Sequence, residues 1–156
     1  MTEHQKRWAT AAGVVLAGTL FVYAVLYMDV VLRAKSSFQE AEKYMQWHHD
    51  PSKKALYLNN VYEKEKSALD VEKSRGTISV EDYETRAAAL EFERNFQLNE
   101  SSLKYAYQWY KDTYELFSPP ESKWVKASRQ KAPEALLMWK DELCAQNIPF
   151  DDYMFE

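Results

Sequence analysis

His48-His49-Asp50 is the one cluster in this 156-residue chain with the residue types of a metal site. A zinc or copper ion needs ligands converging from one face, as an i, i+4 histidine pair does on a helix. Adjacent helical positions instead diverge by about 100°, so the pair is expected to be polar residues closing a helix. Cys144 is the only cysteine, which excludes an internal disulfide, a multi-thiolate cluster and a CxxCH haem attachment. No histidine lies near it in sequence, and it is expected to be a small buried thiol. No Walker loop, GxGxxG, GxSxG or HExxH motif occurs. Asn99-Glu100-Ser101 is formally a glycosylation sequon, but it falls on an apolar helical seam where a glycan would block packing, and it is discounted. The expectation is a chain without catalysis, cofactor, metal or small-molecule substrate.

The elements carrying these residues are organised around Trp8–Met28, which holds no charge and whose only members outside the apolar set are Thr10 and Thr19. As a helix it would run roughly 32 Å, about the thickness of a bilayer's hydrocarbon core. The run is longer than the usual signal-peptide core and no small-x-small site precedes Asp29, so it is read as an uncleaved signal anchor. Trp8, Tyr23 and Tyr27 suit interfacial aromatic belts. The flanking cations (Lys6 and Arg7; Arg33, Lys35 and Lys43) are nearly balanced. The short basic N-terminus is assigned to the cytoplasm and the long C-terminal part outside it. Ala9, Gly13 and Ala17 recur every four residues, widened by Thr10 and Gly18. That small-residue face would let a neighbouring membrane helix approach closely.

Of three glycines, only Gly76 lies beyond the apolar run, which is too few for a sandwich or barrel. The fold class is all-α. Residues 29–156 carry 23 acidic and 18 basic side chains, a balance of −5 with no basic field, so nucleic acid is not an expected partner. Val31, Ala34, Phe38, Ala41, Met45 and His48 alternate by three and four, continuing the membrane helix to Asp50-Pro51. A second helix runs from about Ser52 to Arg75 with a weak stripe of Ala55, Leu58, Tyr62 and Leu69, broken by Glu65. Gly76 closes it and Ser79 caps the next helix.

Thr85, Ala89, Phe92, Phe96, Asn99, Leu103, Ala106, Tyr110, Thr113 and Phe117 continue the alternation. They predict one long helix from Ser79 to Phe117, with Asn99 setting register, against the competing reading of a break near Ser101-Ser102. Such a helix would project beyond its neighbours. Pro119-Pro120 turns the chain into two short helices, 121–130 and one opened by Ala132-Pro133. These fold back as a distal head, with the 148–156 tail docked on the head or on another subunit. No 34-residue repeat of the tetratricopeptide kind recurs.

The expected order is a flank (1–7), a transmembrane helix (8–28), a coiled-coil-like three-helix domain (29–117) and a short helical C-terminal head with its tail (118–156). Membrane-helix packing is assigned to Ala9, Gly13, Ala17 and Gly18. Partner binding is assigned to Tyr105, Trp109, Tyr110, Tyr114, Phe117, Trp124, Trp139, Phe150, Tyr153 and Phe155, whose alternative role is intramolecular core. The expected function is that of a non-catalytic single-pass accessory subunit stabilising a larger membrane complex. Its partners are other subunits and, through residues 8–28, lipid. The alternative is a membrane-anchored adaptor or assembly factor binding clients through the aromatic head.

Overall fold

The structure is a computed structural model describing residues 3–155, with the side chains of residues 5–7 and 9–11 outside the description. Five helices and one short 3₁₀ turn make up the described residues, with no strand among them. α1 spans Glu3–His49, α2 Pro51–Ser74, α3 Val80–Asn99, α4 Ser102–Leu116 and α5 Lys123–Ala145, and the turn is Asp152–Phe155.

α1 joins the apolar run to the polar remainder without interruption, over about 70 Å of rise. Its first half stands alone, with Val14, Leu20, Phe21 and Leu26 all exposed. Its second half packs. Ala34, Ser37 and Ala41 are buried, with Phe38 and Met45 packed against the core. At the top the buried position is Trp47, while His48 is exposed. The expected seam therefore holds from Ala34 to Met45 and then turns towards α2, whose Tyr57 ring lies 5.2 Å from that of Trp47.

Pro51 opens α2 at its first residue, where its missing N–H costs nothing. Asp50 makes no side-chain cap to the helix backbone; its carboxylate instead accepts from the Ser52 hydroxyl, which holds the carboxyl below the usual range. α2 ends as expected. Gly76 takes φ +69°, and Gly76 N donates to Lys73 O (3.0 Å) and Thr77 N to Glu72 O (3.1 Å). Those two bonds close a left-handed cap that glycine adopts without steric penalty. Ser79 caps α3 by accepting from Asp82 N at 3.0 Å.

The long third helix is two helices. Glu100 and Ser101 leave helical space (ψ 144° and 123°), and Ser101 caps α4 through Lys104 N. The carbonyls freed at the break are taken by Lys54, only 8% exposed, which donates to Leu98 O at 3.2 Å and Glu100 O at 2.6 Å. The two C-terminal helices are in turn one, α5, with Pro133 inside it and exposed. At an exposed site the carbonyl that proline leaves unpaired can turn to water.

The expected layout changes with the break. α2 and α3 pair antiparallel as an arm: Tyr83 donates to Asp70 at 2.6 Å, Arg86 meets Glu72 at 3.2 Å, and Arg94 sits over the Tyr62 ring. The arm meets α1 only through α2, and neither of its helices lies alongside α4 or α5. The helices that pack together are α1, α4 and α5. They bury rows at alternating spacings of three and four: Leu103, Ala106, Tyr110 and Thr113 on α4, and Val125, Ser128, Ala132 and Ala135 on α5. Most of these residues are small, so the axes approach closely. The head therefore lies along α1 instead of projecting beyond its neighbours.

Candidate functional site

The head's aromatic residues close chiefly on one another. Tyr110 and Phe155 are buried, and Tyr105, Trp109, Tyr114, Phe117, Trp124, Trp139 and Phe150 are half-buried. Tyr153 alone of the ten assigned positions is mostly exposed, at 66%. Trp139 meets the Phe155 ring edge-on at 4.9 Å, and Phe150 meets it at 5.4 Å. Tyr107 donates to the Phe155 carbonyl at 2.6 Å. The tail is thus docked on the head of its own chain. Tyr107 escaped the sequence assignment because the seam passed through Ala106 and Tyr110; α5 supplies the second face that covers it.

A polar cleft of about 830 Å³ opens beside α1 and α5, lined by Gln39, Glu42, Gln46, His49, Lys131 and Glu134 among others. Glu42 accepts from the Tyr110 hydroxyl and from Lys131 Nζ (2.5 Å). Burial, then the Glu42 bond, pushes the Tyr110 hydroxyl well above the usual tyrosine range. Both donors meet the same Glu42 oxygen, tying α1 to α4 and α5 at one point. His48 and His49 are exposed, with ring centroids 5.3 Å apart. No group of three or more His, Cys, Asp or Glu among the described residues could hold a metal ion. Cys144 is exposed, correcting the expected buried thiol. The buried row of α5 passes through Ala132 and Ala135, and Cys144 falls on another face.

The apolar surface left without a neighbour is on the arm. The sequence seam Thr85, Ala89, Phe92, Phe96, Asn99 stays exposed, with Ala89 and Phe96 at its margin lining hollows shared with α2. Phe92 is 69% and Phe96 46% exposed, their rings stacked along the helix. α3 meets α2 instead through the adjacent row Tyr83, Ala87, Leu90, Arg94 and Leu98, the positions that are partly covered. Two rows on one helix share the same alternation, and a two-helix pair can cover only one. Asn99 sets no register across helices; its amide donates to Asn95 O at 2.9 Å within α3. No residue of α3 is fully buried.

On the apolar half of α1, Gly13 and Gly18 have open space around them, and Ala17 is exposed. The side chain of Ala9 lies outside the described residues. α1 contains the one described stretch long and apolar enough to cross a membrane, near the N-terminus.

These features define an all-α architecture with one long apolar N-terminal helix, a closed aromatic head and an open two-helix arm. Compared with known proteins, the chain matches no family model, no curated protein and no solved structure.

Proposed function

We propose that this chain is a non-catalytic accessory subunit, held in a membrane by one helix and packed against a larger complex. The observation that carries the reading is the arm: α3 buries no residue and presents Phe92 and Phe96 to solvent. An apolar row of that kind is what a neighbouring helix covers. The small-residue face of α1 at Gly13, Ala17 and Gly18 is a second place for a neighbour to approach. Residues 8–28 span the bilayer, the N-terminus is cytoplasmic and the head lies on the opposite side. The alternating rows of α1 and α4 pack in coiled-coil fashion. Tyr110 and Phe155, assigned to partner binding, are buried in the head's own core, which leaves the arm as the surface for a neighbour under either reading.

The test is purification from the native membrane in mild detergent. The expected result is a stoichiometric complex for the wild-type chain, and a free chain of unchanged circular dichroism for Phe92→Asp/Phe96→Asp. A lone monodisperse wild-type species would overturn the proposal.

A further inference from the structure

The polarity of the head relative to the apolar half of α1 has a consequence for lipid. Ser37 lies against Thr113 (2.8 Å), Phe38 against Tyr110 (ring centroids 5.8 Å) and Tyr44 against Tyr105 (5.2 Å). Each step up α1 is therefore a step back along α4. The same register sets Leu116 level with Ala34 and Phe117 level with Arg33. The turn that follows, Ser118–Ser122, joins that level to the start of α5, where the Trp124 ring lies 5.4 Å from that of Phe38. Ala34 stands six residues above Met28, about 9 Å of helix rise. The polar headgroup layer occupies roughly 5–8 Å beyond each face of the hydrocarbon core. If Met28 marks the edge of that core, the end of α4 lies about 9 Å beyond it, at the outer margin of that layer.

The composition of the turn suits that place. Leu116 is 69% exposed at the end of α4, and Pro119 beside it is also exposed. Trp124 is half-buried against Phe38, with Lys123 Nζ over its ring at 4.6 Å. The acids nearby are engaged: Asp29 with Arg33 at 2.8 Å, Glu121 with Arg129 at 2.9 Å on both oxygens, and Glu115 with Lys111 at 4.0 Å. Lys35, Lys123 and Lys126 are exposed and form no ion pair among the described residues. The turn and its neighbours thus combine exposed apolar residues with exposed lysines. Such a surface enters the boundary of an anionic bilayer.

We propose that the α4–α5 turn is a second membrane contact, with Leu116 and Pro119 at the outer margin of the headgroup layer and the Lys35, Lys123 and Lys126 side chains reaching towards anionic phospholipid. This rests on the reading of residues 8–28 as a membrane span. The head would then be held at two points, and its orientation to the bilayer fixed.

The test uses the full-length chain carrying Cys144→Ser and a single spin label at Leu20→Cys, Leu116→Cys or Leu137→Cys. Each is reconstituted in phosphatidylcholine vesicles with or without phosphatidylglycerol. Collision with oxygen and with a water-soluble nickel chelate is read by power saturation, and circular dichroism confirms each fold. The expected result is a deep label at Leu20, an aqueous label at exposed Leu137, and an oxygen-to-nickel ratio at Leu116 several-fold above that at Leu137. The Leu116 ratio should rise with phosphatidylglycerol, and Lys35→Gln/Lys123→Gln/Lys126→Gln should abolish the rise. A Leu116 label as nickel-accessible as Leu137, with Leu20 deep, overturns the turn contact and leaves the span standing. A nickel-accessible Leu20 overturns both. A Leu116 ratio indifferent to phosphatidylglycerol overturns the anionic assignment.

Discussion

At the residue scale the informative side chains are the buried polar ones. Tyr110 is held protonated by burial and by its bond to Glu42. The sign of the linkage follows directly. A tyrosine whose folded value is raised keeps its proton while the unfolded chain loses it above about pH 10, so the unfolded state binds fewer protons there and stability falls. The contribution is complete below about pH 10 and is lost as pH rises beyond it. Tyr110→Phe should therefore cost about 1 kcal/mol at neutral pH. That gap should shrink above about pH 10 in denaturant titrations run across pH. Lys54 carries a different load. Desolvation pulls its ammonium below the ordinary lysine value, and it is retained for the two carbonyls at the α3–α4 break. Lys54→Met should cost roughly 1–3 kcal/mol by leaving those carbonyls unpaired, and should raise hydrogen exchange locally at residues 98–104. Neither role was legible in the sequence. Lys54 sits in an ordinary lysine pair, and Tyr110 resembles every other tyrosine of the aromatic tract until α1 and α5 close on it.

At the element scale, caps and breakers could be read directly and the faces only in part. Pro51, Gly76 and Ser79 act where their backbone chemistry requires, because a proline φ, a left-handed glycine and a capping hydroxyl work within a few residues. The break at Glu100-Ser101 was visible only as an alternative, since a serine pair also fits inside a helix. Which α3 row faces inward was not legible. The row through Phe92 and Phe96 is the more apolar, yet the row through Leu90 and Leu98 meets α2. The two rows predict opposite responses. Ala106→Leu, at a fully buried position between α1 and α4, should cost about 1–3 kcal/mol by overpacking. Phe92→Ser, at an exposed position, should change the stability of the isolated chain by no more than about 0.5 kcal/mol. Parallel thermal melts in detergent compare them. An equal loss for both would place Phe92 in an intramolecular core.

At the scale of the whole molecule, the tail completes the head. Phe155 packs between Trp139 and Phe150, and its carbonyl takes bonds from Tyr107 and Lys111. Phe155→Ala should cost about 3 kcal/mol and release the last residues to early proteolysis, read by limited digestion and mass spectrometry. What the sequence by itself determined is everything that depends on composition and near neighbours. That covers the all-α class, the charge-free apolar run, the helix from Ala34 to Met45 that continues it, and the caps. Only the tertiary structure decided that α4 runs back along α1 and that α2 and α3 stand off as an arm. Alternation by three and four marks every possible face of these helices in the same way. The choice among them is made by close approach of Ala34, Ala41, Ala106, Ala132 and Ala135, small residues whose value lies in the partner they admit and not in their own hydropathy.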